Sequence, residues 1–411
     1  MKLCVQVVSE MRFEATGDGK VWTQTTSAYD FWSRYLKVFD KVEIIARVLR
    51  VPHISPRALR ADGLGVHFVA VPYYIGLSAF LRSLPRIQHD LRRQAGNAAA
   101  RIYRIPSLLA ELFDKCSRQS KGPVGLEVVG DPAEVFAKGN IRHPLRPFLR
   151  FIFTKHVKAL CRKADAVAYV NETILRRRYP PGDNAFISNY SSVELPEDVF
   201  QPPKENFKKR SRKRIAFIGS LAQKYKGADL LIDAVADCID DGLDLELIII
   251  GGGACKHQLD EQARQKGLSN RVVFLGQLPA GEAVREQIDA ADLFVLPART
   301  EGLPRVIIEA MARAKPCIST TVGGIPELLD HEDLVAPNDS KALSRKITDV
   351  LGDDNRMKEM SLRNYRTARQ YHKTILDSRR NEFYGYLRNR TEQWLSHPKT
   401  VKRPPWKPLT L

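Results

Sequence analysis

The chain has 411 residues, of which 44% are hydrophobic and 27% are charged, a balance typical of a globular protein. This length allows two domains of usual size, each with its own core. No run of 18 apolar residues occurs, which argues against a membrane-spanning helix, and Glu10 and Arg12 interrupt the amino terminus too early for a signal peptide. The formal charge of +18 favours an anionic partner: a nucleotide, a lipid phosphate, a membrane surface or a nucleic acid.

The first half of the chain predicts the start of a βαβ arrangement. An apolar strand over residues 3–9 is followed by a loop, a helix over 29–39 with an apolar face, and a strand over 42–48. The loop contains Gly17 and Gly19, which permit a close approach of backbone to ligand. We therefore regard Gly17 and Gly19 as candidate ligand contacts, with a plain turn as the alternative.

Further strands are predicted over residues 65–71, 100–107 and 123–132, and the last of these ends on Asp131. In an open α/β sheet, ligands bind outside the carboxyl ends of the strands, so Asp131 is a candidate site residue. The alternative is a helix N-cap, a position that aspartate often occupies.

Two basic stretches follow. Residues 143–163 alternate basic and apolar side chains, which predicts either a helix at an anionic membrane interface or a core helix with a solvated basic face. Residues 201–214 are led by prolines and rich in lysine and arginine, a composition typical of a linker, and they nearly lack the aromatic residues of a nucleic-acid site. We divide the chain into a first domain 1–203, a linker 204–213, a second domain 214–378, a helix 379–398 and a basic tail 399–411.

The second half alternates strands and helices regularly, which predicts an α/β fold with a parallel, doubly wound sheet. Lys226 stands at a predicted helix start, immediately before Gly227, where its charge would add to that of the helix amides. Gly252 lies in a glycine run after a buried strand, and Gly276 ends the next strand; both are candidates for a close approach to a nucleotide.

Residues 296–328, LPARTEGLPRVIIEAMARAKPCISTTVGGIPEL, contain the densest chemistry in the sequence. They predict a strand end, a loop, a helix that begins near Pro304, a strand and a second helix start. Glu301 and Glu309 are eight residues apart and can address different parts of one ligand. The free amides at the helix start form an anion site between them, so the segment suits a ligand with both phosphate and hydroxyl groups.

The E-x7-E pair, the EAMA sequence, the proline-led strand and GGIPE together resemble glycosyltransferase family 4, retaining sugar-nucleotide enzymes of the GT-B fold. The resemblance is specific over about residues 215–335. It implies two facing Rossmann-like domains with a cleft between them, and a last helix, here 379–398, that returns to the first domain. One departure is Ser220, which stands where the family has an arginine; we expect Lys224 to compensate.

The resemblance also implies roles for single residues. Glu309 would bind the ribose hydroxyls, Glu301 the donor sugar and Lys226 the departing diphosphate. Asp131 would orient the acceptor or stabilise positive charge at the sugar carbon. The remaining expected donor contacts are Gly17, Gly19, Ser220, Lys224, Gly252, Gly276, Gly302, Leu303, Arg305, Val306, Gly323 and Gly324.

The predicted function is retaining transfer of a sugar from a nucleoside-diphosphate sugar to a saccharide or lipid-linked acceptor, in polysaccharide or glycolipid biosynthesis. A sugar-nucleotide epimerase or hydrolase on the same fold, and a basic nucleic-acid-binding protein, remain alternatives. We expect no cofactor and no essential metal, because no Asp-x-Asp pair stands out and protein cations can replace a divalent ion. The scattered cysteines indicate a cytoplasmic protein, and the basic surface is compatible with peripheral attachment to the inner face of a membrane.

Overall fold

A computed structural model describes residues 2–56, 58–95, 100–117, 122–136, 145–193, 195–203 and 211–396. Most of the predicted linker and the whole basic tail therefore lie outside the described residues. Within the described residues, the elements form two parallel sheets, one from each half of the chain, with helices packed on them.

The first sheet is parallel in the order β5-β3-β1-β6-β7-β8-β9, and β2 and β4 add a short antiparallel extension beside the far end of β1. Read from one edge, its first six strands follow the order 3-2-1-4-5-6 that is typical of dinucleotide-binding sheets. The strands are β1 Cys4–Ala15, β2 Val21–Thr23, β3 Lys41–Arg50, β4 Leu59–Arg60, β5 Val66–Val71, β6 Ala100–Ile105, β7 Val124–Val128, β8 Ala166–Tyr169 and β9 Phe186–Asn189.

Strand β1 is longer than the sequence indicates. It continues through Met11 and Arg12 to Ala15, with an irregular register against β3 between Val8 and Arg12. Beyond it, the backbone N–H of Gly19 donates to the carbonyl oxygen of Thr16 (3.0 Å), which closes a tight turn into β2. The expected ligand loop is therefore the tip of a β-hairpin.

The helices of the first half are α1 Tyr29–Ser33, α2 Gly76–Ala95, α3 Leu108–Cys116, α4 Pro132–Val135, α5 Arg146–Lys163 and α6 Ile174–Arg178. The helix predicted over residues 29–39 is short: α1 tightens after Ser33 into a 3₁₀ turn, Arg34–Lys37. This turn brings Trp32 and Tyr35 into the core, where both are fully buried.

The second sheet is parallel in the order β12-β11-β10-β13-β14-β15, again the 3-2-1-4-5-6 pattern. Its inner strands are continuous apolar runs such as LELIII in β11, because helices cover both faces. The strands are β10 Lys213–Ile218, β11 Leu245–Ile250, β12 Val272–Gly276, β13 Leu293–Leu296, β14 Cys317–Thr320 and β15 Leu334–Val335; the helices are α7 Ala228–Asp240, α8 Lys256–Gln265, α9 Glu282–Ala290, α10 Arg305–Ala312, α11 Ser340–Leu351, α12 Asp354–Arg369 and α13 Lys373–Ser396.

The last helix, α13, belongs to the core of the first domain. Phe383 and Leu387 are buried against β7, where a Cβ on Gly125 would lie 3.0 Å from the Phe383 ring. The ring of Tyr386 stacks on Phe186 of β9 with centroids 4.8 Å apart. The helix begins at Lys373, six residues before the predicted crossing, and one continuous apolar cluster runs from the second domain through α13 to the first sheet.

None of the described helices is long and apolar enough to cross a membrane. The six cysteines are free thiols, and Cys161, Cys238 and Cys317 are buried.

Candidate active site

The two sheets face each other across a cavity of about 1200 Å³. Its walls come from the loops after β10, β11, β12 and β13 and the start of α10 on one side, and from α1, β6, β7, β8 and α13 on the other. The volume exceeds that of a usual small-molecule pocket. It therefore has room for a nucleotide together with a second ligand.

Lys226 and Glu301 form an ion pair in the wall of the second domain. Both side chains are largely buried, at 16% and 11% exposure. Gly227, next to the lysine, has φ of +78°, and a Cβ there would lie 1.9 Å from the carbonyl oxygen of Pro297. Only glycine allows this approach, so the sequence Lys-Gly fixes the lysine against the end of β13.

Arg299 fastens the loop that carries Lys226. Its backbone N–H donates to the carbonyl oxygen of Tyr225 (2.7 Å), and its guanidinium donates to the carbonyl oxygen of Lys224 (2.5 Å) and to Asp229 (2.8 Å). No sequence motif indicates that Arg299 holds this loop, because its hydrogen-bond partners Lys224 and Asp229 are about 70 residues away in the chain.

The start of α10 continues the same wall. Gly302, Leu303, Arg305 and Val306 all line the cavity, as predicted for an anion site at a helix start. Glu309 lines it one turn further on. Burial raises the pKa of Glu309, although Arg305 and Arg285 oppose the shift.

The other predicted donor contacts divide into two groups. Ser220 and Gly252 line the cavity, whereas Lys224, Gly276, Gly323 and Gly324 do not. Lys224 is exposed and contributes its carbonyl oxygen to Arg299. A Cβ at Gly323, which has φ of +54°, would lie 1.9 Å from the carbonyl oxygen of Glu301. Gly323 and Gly324 therefore pack against the loop that carries Glu301, outside the cavity lining.

Three residues of the first domain do not lie in the cavity lining. Gly17 and Gly19 are at the hairpin tip beyond β1, because β1 carries the chain past the cleft. Asp131 is the N-cap of α4: it accepts from the backbone N–H of Ala133 (2.8 Å) and from the hydroxyl of Tyr179 (2.5 Å), and it pairs with Arg178. These contacts use its carboxylate within the first domain, which corrects the expectation that it faces the cleft.

The sequence reasoning missed a buried polar cluster in the wall of the first domain. Glu127 of β7 pairs with Arg104 of β6, and Arg34 lies beside them. Burial alone would favour the neutral carboxyl, but Arg104 and Arg34 lower the pKa of Glu127. Its oxygens accept from three tyrosine hydroxyls at 3.0–3.1 Å: Tyr35, Tyr190 and Tyr384. Charged residues within the buried strands β6 and β7 are the signal that could have revealed this cluster.

Two contacts join the walls. Arg305 donates to the hydroxyl of Thr26 (3.4 Å) across the cavity. Glu327 of the second domain accepts from the backbone N–H groups of Glu172 (2.7 Å) and Ile174 (2.7 Å) at the start of α6. The cavity is thus bounded by both domains at once.

Comparison with known proteins relates the second half of the chain, which forms one wall of this cavity, to a known family. The family of glycosyl transferases group 1 matches residues 200–367, which include Lys226, Glu301 and Glu309. These residues therefore resemble the group 1 glycosyltransferases, as the sequence predicted for this part of the chain. The two facing Rossmann-like sheets form the GT-B fold, so the predicted fold is confirmed.

This glycosyltransferase is 26% identical to Protein CapJ of Staphylococcus aureus over 87% of its own length and 92% of CapJ. It is 31% identical to the GDP-mannose-dependent monoacylated alpha-(1-6)-phosphatidylinositol monomannoside mannosyltransferase of Corynebacterium glutamicum, over 48% of this chain and 56% of that protein. Among solved structures, sucrose-phosphate synthase of Thermosynechococcus elongatus superimposes with a TM-score of 0.69 at 18% identity, covering 94% of this chain and 99% of that one.

Proposed function

We propose that this glycosyltransferase moves a sugar, with retention of configuration, from a nucleoside-diphosphate sugar to a hydroxyl of a saccharide or lipid-linked acceptor. The observation that carries the proposal is one wall of the cavity, where Lys226, Glu301, the start of α10 and Glu309 lie side by side. This order matches the parts of a nucleotide sugar: Glu309 for the ribose, Lys226 and the helix amides for the diphosphate, and Glu301 for the sugar.

The chemistry of this wall concentrates on the leaving group. As the sugar departs, negative charge develops on the diphosphate, and a fixed ammonium with oriented amides stabilises that charge without reorganisation. The leaving phosphate would then accept the proton of the acceptor hydroxyl on the same face of the sugar, which keeps the configuration. Because protein cations supply the positive charge, we expect turnover to continue in EDTA.

The acceptor is proposed to belong to cell-surface polysaccharide or glycolipid synthesis. The mannosyltransferase relative is named for a phosphatidylinositol monomannoside, and this supports a lipid-linked acceptor for the present chain. No nucleic-acid partner is proposed.

The deciding experiment offers the protein uridine, guanosine and adenosine diphosphate sugars with a panel of acceptors and analyses the products. A new glycosidic bond with the anomeric configuration of the donor supports the proposal. An isomeric nucleotide sugar alone would indicate an epimerase, and free sugar alone a hydrolase. Salt-sensitive nucleic-acid binding unaffected by nucleotide sugars would support the remaining alternative.

Peripheral contact with an anionic membrane is proposed for α5. Phe148 and Phe151 are 59% and 63% exposed on this helix, and Arg146, Arg150 and Lys155 accompany them. Exposed aromatic rings beside basic side chains suit the interface of an anionic lipid bilayer.

Vesicle sedimentation tests this contact. We expect the protein to bind vesicles of phosphatidylcholine with phosphatidylglycerol, and to bind several-fold less after Phe148→Ser and Phe151→Ser. Leu64→Ser is the control, because Leu64 is 90% exposed on a different segment of the first domain. Equal binding to pure phosphatidylcholine, or full binding by the double variant, would refute the contact.

A further inference from the structure

Arg34 is a buried cation that has no hydrogen-bonded or ion-paired partner among the described residues. It is only 7% exposed, lines the cavity, and stacks its guanidinium 3.7 Å from the ring centroid of Phe31. Its Nε atom is buried without a hydrogen-bond partner, and within the described part of the chain no hydrogen bond or ion pair involves this guanidinium. A buried charge without a partner is costly. Because it lines a ligand cavity and its guanidinium is not hydrogen-bonded to the protein, Arg34 is suited to bind an anionic ligand directly.

The nearest carboxylate cannot fill this role. Glu127 already accepts one hydrogen bond from each of the three tyrosine hydroxyls, with that of Tyr35 shared between both oxygens, and a fourth from Arg104. A carboxylate offers about four acceptor positions, so its capacity is used. The tyrosines and the charge of Glu127 raise the pKa of Arg34 against the effect of burial, but no hydrogen bond or ion pair joins Arg34 to Glu127 among the described residues.

The other acidic groups on this wall are also unavailable or weak. Asp377 pairs with Lys37 (2.7 Å) and with Arg380 (2.6 Å). Asp30 is exposed at the start of α1, where water screens its charge. Basic side chains outnumber acidic ones on this wall by five to three: Arg34, Lys37, Arg104, Lys373 and Arg380 against Asp30, Glu127 and Asp377.

We propose that the acceptor of this glycosyltransferase carries an oxyanion, a carboxylate or a phosphate, and that Arg34 binds it. The inference rests on the proposed function, because it assigns the donor to the second-domain wall and leaves the first-domain wall to the acceptor. A guanidinium matches both kinds of oxyanion with two parallel hydrogen bonds. Phe31 holds the guanidinium plane in place, and the neighbouring guanidinium of Arg104 lies 4.9 Å from the same ring.

The test compares ligands that differ only in charge. The protein is saturated with whichever of UDP, GDP or ADP it binds, so that the donor site is filled, and is then titrated with glucose, glucuronate and glucose 1-phosphate by calorimetry. We expect one acidic sugar to bind at least tenfold more tightly than glucose. Glucuronate and glucose 1-phosphate distinguish a carboxylate acceptor from a phosphate acceptor.

Arg34→Gln should abolish that preference while changing nucleotide affinity less than twofold. Lys41→Gln is the matched control, since it removes one positive charge from the first domain outside the cavity, and it should keep the preference. An acidic sugar bound no more tightly than glucose by the wild-type protein, or a preference that survives Arg34→Gln, would overturn the proposal.

Melting temperature separates a binding role from a structural one. Arg34 makes no hydrogen bond or ion pair among the described residues, but its charge also stabilises ionised Glu127. An unchanged melting temperature of Arg34→Gln would assign the loss of the preference to binding alone. If Arg34→Gln melts at a lower temperature than the wild type, Arg34→Lys is compared next, because lysine keeps the positive charge but lacks the paired N–H donors of the guanidinium. Weaker binding of the acidic sugar by Arg34→Lys supports the proposal, and unchanged binding refutes it. Failure of the wild-type protein to use any nucleotide sugar would instead refute the proposed function.

Discussion

The two walls of the cavity are built in opposite ways. On the second-domain side, Glu301 and Glu309 come from one continuous segment, and Lys226 comes from the loop after β10. On the first-domain side, the cluster around Glu127 assembles Arg34, Arg104 and Tyr384 from separate elements. The donor wall is therefore a local motif, whereas the opposite wall exists only in the folded protein.

This difference affects what each wall can tolerate. The charges of the donor wall lie on a loop and at a helix start, where a ligand can replace their partners. On the opposite wall, Arg104 and Glu127 are buried in strands that also form the core. Substitutions should therefore damage activity on the donor wall, and stability where they affect the Arg104–Glu127 pair.

Glu127→Gln should give the largest effect, as a loss of stability. The change leaves Arg104 without its carboxylate, and breaking a buried ion pair costs about 3–5 kcal/mol. For a domain of about 200 residues this corresponds to a melting temperature lower by roughly 10 °C. Scanning calorimetry at neutral pH measures the shift.

Two controls accompany this variant. Tyr384→Phe removes one hydrogen bond from the same carboxylate and should cost only about 1 kcal/mol. The lowered pKa of Glu127 means that its stabilisation is present above about pH 4.5 and is lost as the pH falls through the lower pKa of the folded state. The gap between wild type and Glu127→Gln should therefore narrow below pH 4.5; a gap that widens there would contradict the assignment.

Lys226→Ala should give the largest effect on activity. If the ammonium faces the developing charge of the diphosphate, its loss should lower turnover by about 10²-fold or more, close to 3 kcal/mol in the barrier. Lys224→Ala is the matched control two residues away, because that side chain is exposed outside the cavity. Near-normal turnover by Lys226→Ala would show that Lys226 does not stabilise the leaving diphosphate.

The two walls also differ in how much of each could be predicted from the sequence. Residues 296–328 could be interpreted because the strand, loop and helix that position Glu301 and Glu309 are consecutive. The regular alternation of elements predicted both parallel sheets for the same reason. Arg34 could not be found in this way, because its importance depends on the missing partner, which only the packing of β6, β7 and α13 reveals.

Errors at the ends of elements had a second cause. The sequence predicts that the first strand covers residues 3–9, because its apolar run ends there. In the fold, β1 continues and pairs with β3 as far as Ala15. This pairing depends on a partner strand distant in sequence, with Ala15 opposite Arg50, so local composition does not indicate it.

Glu309→Gln should have a smaller effect: it should weaken nucleotide binding but raise the stability of the ligand-free protein. Loss of a charged hydrogen-bond acceptor should weaken nucleotide affinity by about 10-fold or more, equivalent to about 1.5–3 kcal/mol. The raised pKa of Glu309 means that its ionised form destabilises the empty protein as the pH rises through that pKa. The variant should thus melt higher at pH 8 and equal to wild type below about pH 4.5.

The control for this variant is Glu286→Gln on α9, which removes an exposed carboxylate that does not line the cavity. It should leave nucleotide affinity unchanged. If Glu309→Gln binds nucleotide like the wild type, the ribose contact is refuted even if the stability difference is observed.

Asp131→Asn should have the smallest effect. Asparagine caps helices as well as aspartate does, and Arg178 keeps a second carboxylate, Glu134, at 3.0 Å. We expect a loss of about 1 kcal/mol or less in stability and turnover within twofold of the wild type.

Asp131→Ala sharpens the test, because it also removes the cap of α4 and the acceptor for Tyr179. It should cost about 1–2 kcal/mol more than the asparagine variant, again with little change in turnover per folded molecule. A tenfold loss of turnover by Asp131→Asn, without a change in melting temperature, would mean that Asp131 leaves its cap when the acceptor binds. That result would return Asp131 to the catalytic role that its contacts within the first domain otherwise argue against.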